Sequence, residues 1–243
     1  MGDNNYRYIG RHVNRADGRE LISGRRQFID DVRIPGMLTA RVLRSPYPHA
    51  NIVDIHVEKA KALAGVKAVL TYKDAPDWKC GLPQHRRVLD RRVRFTGDSV
   101  ALVAAETLEA ADEACKLIEV EYEELPFVLD CEEAIKPEAP QLYEEFPGNV
   151  LPKVTPFSEE PFNQIHVGDV EKAFEEAAYV AEDKVAFDKM PSPLAPETPS
   201  CIAKYEGGNE YTIWASSQSS HILKLMGEGR IPNSNLSVKT FNV

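Results

Sequence analysis

One stretch constrains the fold of this chain more than any other: Val93–Pro126, VRFTGDSVALVAAETLEAADEACKLIEVEYEELP. It begins with a turn at Thr96-Gly97-Asp98 and continues as an apolar run from Val100 to Ala105. Val and Ala bounded by Gly and Glu suit a buried strand. Thr107 then offers a hydroxyl to the unpaired N–H groups of a helix start. Leu108, Ala111, Cys115 and Ile118 follow at three- and four-residue intervals, which puts them on one helical face. Val120 and Tyr122 restart a two-residue period that Pro126 stops. The pattern predicts a strand–helix–strand unit, which buries its faces only inside a layered domain.

The same reading extends in both directions. Residues 1–24 are polar and rich in Gly and Arg, an extended N-terminal segment. Pro35-Gly36 marks a turn, and strands are expected over Met37–Val42, Asn51–Val57 and Val66–Thr71. Between the first two lies Arg44–Ala50, stiffened by Pro46 and Pro48. A short helix over Glu58–Ala64 ends at Gly65. These elements make an α+β domain over residues 25–130. Residues 131–160 carry Pro137, Pro140, Pro147, Pro152 and Pro156 among acids and read as a linker running over a surface.

A second unit follows over residues 161–243. Asp169 caps a helix with Val170, Ala173, Phe174 and Ala177 on one face. Tyr179–Phe187 alternates like a strand. Ser200–Tyr205 and Tyr211–Ser216 flank Gly207-Gly208 as a hairpin. Ser219 is placed to cap a helix through Ile222, Leu223 and Met226, and Leu236–Val243 forms a last strand with Val238 and Thr240 on one face. About 80 residues bury a marginal core, and an alternating strand at a terminus needs a neighbour to hold it. The expectation is an incomplete domain, finished by other residues or another polypeptide.

Charge narrows the partners. Residues 1–100 carry +8 and residues 101–243 carry -17, within a net charge of -9. Basic residues are spread rather than gathered on one surface, apart from Arg86-Arg87 and Arg91-Arg92-Arg94, so nucleic-acid binding is not expected. That cluster reads as a solvated loop and strand edge. No apolar run approaches the roughly 18 residues that cross a bilayer. The N-terminus has neither a basic start nor an apolar core, so a cytoplasmic protein is expected. Cys80, Cys115, Cys131 and Cys201 lack zinc or iron–sulfur spacing, and no residue is expected to ligate a metal.

Local pattern offers few candidates for chemistry. There is no nucleophile elbow, phosphate-binding glycine loop or HExxH. Gln218 lies in the polar run Ser216–Ser220, where a strand end meets a helix start and free N–H groups converge. Its amide both donates and accepts, which suits an oxo group or polar substrate, though a turn glutamine looks the same. Glu197, between Pro196 and Thr198-Pro199, is either a buried carboxylate gripping local backbone or a solvated loop acid. His221 either caps a neighbour or touches a ligand. Glu121, Glu123 and Glu124 lie along one strand and read as an acidic edge.

Longer patterns add a resemblance. Met37–Pro76, MLTARVLRSPYPHANIVDIHVEKAKALAGVKAVLTYKDAP, is similar to the opening of the molybdopterin-binding large subunit of the xanthine dehydrogenase and aldehyde oxidase family. VRFTGDSVALVAAETLEAADEACKLIEVEYEELPFVLD resembles the family's next signature. VGDVEKAFEEAAYVAEDKV and LAPETPSCIAKYEGGNEYTIWASSQSSH resemble its later regions more loosely, with Ser217 where relatives carry Thr and Pro193 where they often carry His.

The resemblance implies an α/β hammerhead domain followed by the first part of a mixed α/β molybdenum-binding domain. It implies a component of a molybdenum hydroxylase, not catalytic alone, that oxidises an aldehyde or N-heteroaromatic substrate with water as the oxygen source. Gln218 would hydrogen-bond an oxygen ligand of molybdenum and so serve catalysis and cofactor binding together. The cofactor would be molybdenum–molybdopterin, with 2Fe-2S and FAD on partner subunits and a further polypeptide carrying the rest of the molybdopterin-binding region. A non-catalytic structural or assembly module, or a relative acting on an aromatic thioester, are the alternatives.

Overall fold

The computed structural model describes residues 9–10, 12–80, 86–150, 167–185, 197–231 and 233–241. Pro152 and Pro156 of the expected linker, and Pro193 and Pro196 before Glu197, lie outside the described residues. The chain divides into two compact units, Gly36–Ala186 and Met1–Pro35 with Phe187–Val243. A single helical turn, α1 (Gly18–Ile22), comes first in the chain and belongs to the discontinuous unit.

Within Gly36–Ala186 the order is β1 (Thr39–Arg44), β2 (Ala50–His56), α2 (Glu58–Ala62), β3 (Val66–Leu70), β4 (Lys79–Cys80), β5 (Arg86–Arg87), β6 (Arg92–Val93), β7 (Ser99–Ala105), α3 (Leu108–Leu117) and β8 (Glu119–Glu124). The short helices α4 (Cys131–Ala134) and α5 (Val170–Glu175) follow. Two three-stranded sheets, in the orders β1-β7-β3 and β6-β2-β8, are joined by α3. The predicted strand–helix–strand unit therefore starts in the middle of one sheet and ends at the edge of the other.

The core includes the predicted buried strand β7. Val100, Val103 and Ala105 on β7 and Ile52 and Ile55 on β2 are buried together with Val93. The face of α3 differs from expectation: Ala111, Ala114 and Ile118 are buried and Cys115 is half-buried, but Leu108 is 40% exposed. Two alanines let the helix approach β1, β7 and α2 closely, and a leucine in the first turn is not needed there. Thr107 caps the helix as predicted, accepting from the Ala110 N–H at 3.1 Å. Gly65 takes φ +86°, a left-handed conformation that a Cβ disfavours.

The proline-stiffened connection after β1 is a buried hub. Ser45 N–H donates to the Asp98 carbonyl and Gly97 N–H donates to the Ser45 carbonyl, both at 2.8 Å. His49, 2% exposed, is hydrogen-bonded through Nδ1 to the Pro126 carbonyl at 2.6 Å. The described part of the linker is ordered by Asn149, whose amide donates to the Ala134 and Pro140 carbonyls. Beyond it Asp169 caps α5 by accepting from the Lys172 N–H at 3.1 Å. The apolar side of α5 is exposed, Phe174 by 61%. Of Tyr179–Phe187, whose alternation predicts a strand, residues 179–185 form none and the last two lie outside the described residues: no neighbouring strand supplies hydrogen bonds among the described residues, and alternation alone cannot hold a strand.

In the other unit β9 (Cys201–Gly207) and β10 (Glu210–Ser216) form the predicted hairpin, and α6 (Ser220–Glu228) leads to β11 (Asn235–Phe241). β11 pairs in parallel with β10, giving the order β11-β10-β9. α6 packs on β11, where Leu236 is 1% exposed and its N–H donates to Glu228 Oε1 at 2.9 Å.

Candidate functional site

The candidate site lies at the end of β10 where the chain turns into α6. Ser216 fixes this end. Ser200 N–H donates to Ser216 Oγ at 2.8 Å, and Ser216 N–H donates back to the Ser200 carbonyl at 3.1 Å. The two segments leaving this clamp are Glu197–Pro199, preceding β9, and Ser217–Ser219, following β10. The sequence-predicted residues Glu197 and Gln218 therefore leave the same end of one hairpin, and the structure gives them opposite characters.

Glu197 is 8% exposed. Its Oε1 accepts from the Ile29 N–H at 2.8 Å, at the start of the 3-10 turn Ile29–Asp31, which packs on β10. The carboxylate thus braces the N-terminal segment against the hairpin. Of the two readings open in the sequence the buried one holds, but the backbone it grips is 168 residues away rather than local. Glu197 Oε2 has no hydrogen-bond partner among the described residues.

Gln218 is exposed, and its amide makes no hydrogen bond to a described residue. Ser219 occupies the helix-capping position, but its side chain makes no capping bond, contrary to expectation. Its N–H is turned instead to Ser217 Oγ at 3.2 Å. The first N–H groups of α6 are consequently uncapped beside the Gln218 amide, and the positive end of the helix dipole is not neutralised there. His221 is exposed in the first turn of α6. The arrangement is an exposed, donor-rich helix start suited to an oxygen-bearing ligand. The serine clamp behind it escapes a sequence reading, although serines at both open ends of a hairpin are a usable signal.

Among the described residues no group of three or more His, Cys, Asp or Glu is arranged to hold a metal ion. No helix among them is long and apolar enough to cross a membrane. Glu121 and its neighbours line β8 at a sheet edge, as the alternation implies.

Comparison with known proteins identifies this architecture. Residues 23–126 match the aldehyde oxidase and xanthine dehydrogenase a/b hammerhead domain, and residues 154–240 match a molybdopterin cofactor-binding domain. A probable xanthine dehydrogenase subunit from Bacillus subtilis is 37% identical over 84% of this chain and 26% of its own. The nicotinate dehydrogenase large molybdopterin subunit of Eubacterium barkeri is 29% identical over 96% of this chain and 53% of its own. The crystal structure of quinoline 2-oxidoreductase from Pseudomonas putida 86 superposes with a TM-score of 0.75 at 28% identity, over 97% of this chain and 30% of that one. A copper- and molybdenum-containing carbon monoxide dehydrogenase gives 0.74 at 32% identity, over 94% of this chain and 30% of that one.

An α+β hammerhead domain followed by a molybdopterin-binding fold marks a part of the molybdenum-dependent oxidoreductase family. This chain belongs to the xanthine dehydrogenase and aldehyde oxidase family, and it spans between about a quarter and a half of the length of those two curated relatives. Gln218 falls within the matched cofactor-binding region. Its donor set fits that group: an amide and backbone N–H groups complement the oxygens of a molybdenum–molybdopterin cofactor without adding a competing negative charge.

Proposed function

We propose that this chain supplies the hammerhead domain, residues 25–130, and the front part of the cofactor-binding region, residues 161–243, of a molybdenum hydroxylase. Its substrate class would be an aldehyde or an N-heteroaromatic compound, oxidised with water as the source of oxygen. When bound, the molybdenum–molybdopterin cofactor supplies a two-electron redox centre. The remainder of the cofactor-binding region, an iron–sulfur subunit and an FAD subunit complete the assembly in this reading.

This chain's own contribution is positional. Gln218 donates its amide N–H to an oxygen of the cofactor, and the uncapped start of α6 adds positive potential beside it. Such donors assist a reaction only when they are held before charge develops. The clamp between Ser200 and Ser216 and the brace from Glu197 to Ile29 hold the loop ends from which Gln218 projects. The observation that carries the reading is this exposed amide beside an uncapped helix start, inside the stretch matching a molybdopterin cofactor-binding domain.

The test is co-purification from the source organism, with molybdenum analysis and intact masses of every polypeptide that travels with the chain. Molybdenum should co-purify with the complex. Gln218→Ala in that complex should then lower turnover about 100-fold, the usual effect of losing one positioned donor, with molybdenum retained. A complex without molybdenum, or a Gln218→Ala enzyme of undiminished turnover, would refute the reading.

A further inference from the structure

We propose that the cavity of about 470 Å³ lined by Lys79, Arg87, Asp90, Arg92, Arg94, Tyr143, Glu144 and Glu145, in the Gly36–Ala186 unit, is a binding site for a small oxyanion, a phosphate or carboxylate group held by Arg92.

The cationic side chains lining this cavity are not equivalent. Arg94 Nη1 lies 2.7 Å from Asp90 Oδ2, and its guanidinium stacks over Tyr143 with a 4.6 Å separation. Arg87 Nε lies 2.6 Å from Asp77, and Lys79 lies 2.5 Å from Glu145. Each of these three charges has a carboxylate beside it. Arg92 makes no ion pair with a described residue, and Glu144, which also lines the cavity, is exposed.

Arg92 is nevertheless fixed. Its Nε–H donates to His49 Nε2 at 3.0 Å. Because His49 Nε2 accepts there, the His49 proton sits on Nδ1 and is donated to the Pro126 carbonyl at 2.6 Å. The imidazole is 2% exposed and therefore immobile. Burial first, and the positive charges of Arg92 and Arg94 after it, lower the His49 pKa and keep the ring neutral.

The choice of a neutral residue for this task is informative. A carboxylate behind Arg92 would orient the guanidinium and cancel its charge. A neutral imidazole orients it and leaves the full positive charge facing the cavity. The two terminal nitrogens, which bond no described residue, form the planar fork that matches two oxygens of a phosphate or carboxylate. Arg86–Arg94 reads in sequence as a solvated basic edge; folding pairs Arg86, Arg87 and Arg94 with carboxylates, turns Arg91 to the Ile52 carbonyl, and leaves Arg92, which lines the cavity, held by a neutral partner.

The site is tested on the full chain labelled with nitrogen-15, following the Arg92 Nε–H resonance, assigned by its absence in Arg92→Lys. Sodium phosphate and sodium acetate are titrated separately at constant ionic strength, with chloride as the reference anion. A saturable shift with half-saturation below about 10 mM is expected for at least one. Phosphate alone saturating identifies a phosphate-bearing ligand, and acetate alone identifies a carboxylate. Arg92→Lys, which keeps the charge and loses the fork, should weaken binding about 10-fold, read from neighbouring backbone amides, and Arg92→Gln should abolish it. Shifts that do not saturate, that chloride reproduces, or that persist in Arg92→Gln would overturn the proposal.

Discussion

The backbone N–H of Ile29 donates to Glu197 Oε1 at 2.8 Å, with both residues almost wholly buried. This bond ties the 3-10 turn of the N-terminal segment to the start of the hairpin that carries Gln218. Glu197→Ala leaves a buried N–H without an acceptor, which costs about 1–3 kcal/mol. Glu197→Gln keeps an acceptor in place and should cost less than half as much. Urea unfolding followed through Trp214 in a Trp78→Phe background reads the unit concerned. Equal losses for the two variants would show that the side chain acts by filling space rather than by this bond.

Gly227 and Leu236 are matched across the packing of α6 on β11. A Cβ built at position 227 lies 2.2 Å from Leu236 Cδ1, on a side chain that is 1% exposed and must shift to admit it. Gly227→Ala gains about 0.5–1 kcal/mol of helix propensity but overpacks the contact by about 1–3 kcal/mol, so net destabilisation is expected. Gly227→Ala with Leu236→Val should recover part of the loss, because the clashing Cδ1 is gone. The coupling is measured as a double-mutant cycle in urea, and strict additivity would contradict the geometry.

Thr107 Oγ1 accepts from the Ala110 N–H at the start of α3. Thr107→Ala should destabilise the hammerhead unit by about 1 kcal/mol and Thr107→Ser should not, since serine caps as well as threonine. Unfolding followed through Trp78 in a Trp214→Phe background provides the measurement. A serine variant as weak as the alanine one would shift the explanation to loss of the threonine methyl.

These residues also show what a sequence can reveal. The Thr107 cap, the β7 strand and the Gly207-Gly208 hairpin depend on contacts within a few residues, so periodicity and composition suffice to find them. Partnership across the chain does not follow from local pattern. β7, an apolar run, and β8, which alternates, are neighbours in one predicted unit yet join different sheets. Tyr179–Val185 alternates and forms no strand. Glu197 looks like a loop acid because its partner Ile29 lies far off in sequence. Gln218 could be singled out from its place between strand and helix, whereas the idle Ser219 side chain beside it is a matter of backbone geometry. His49, close behind two prolines, gives no hint that it holds Arg92.

The state of His49 makes stability depend on pH with a definite sign. Burial, with Arg92 and Arg94 nearby, lowers its pKa in the folded chain, against the bond to Pro126, which raises it. The unfolded chain regains the ordinary value near 6.5. As pH falls below about 6.5, the unfolded state therefore binds a proton that the folded state refuses. Stability contributed by neutral His49 is complete above that pH and declines below it, by up to about 1.4 kcal/mol per pH unit, until the lowered folded pKa is reached. His49→Gln can donate to Pro126 and accept from Arg92 without titrating. Urea unfolding followed through Trp78 in the Trp214→Phe background, at pH 5.0, 5.75, 6.5 and 7.5, should give wild type a steeper decline than His49→Gln. Parallel pH profiles would mean that His49 takes up its proton in the folded chain as readily as in the unfolded one, and that the imidazole does not hold Arg92 as a neutral acceptor.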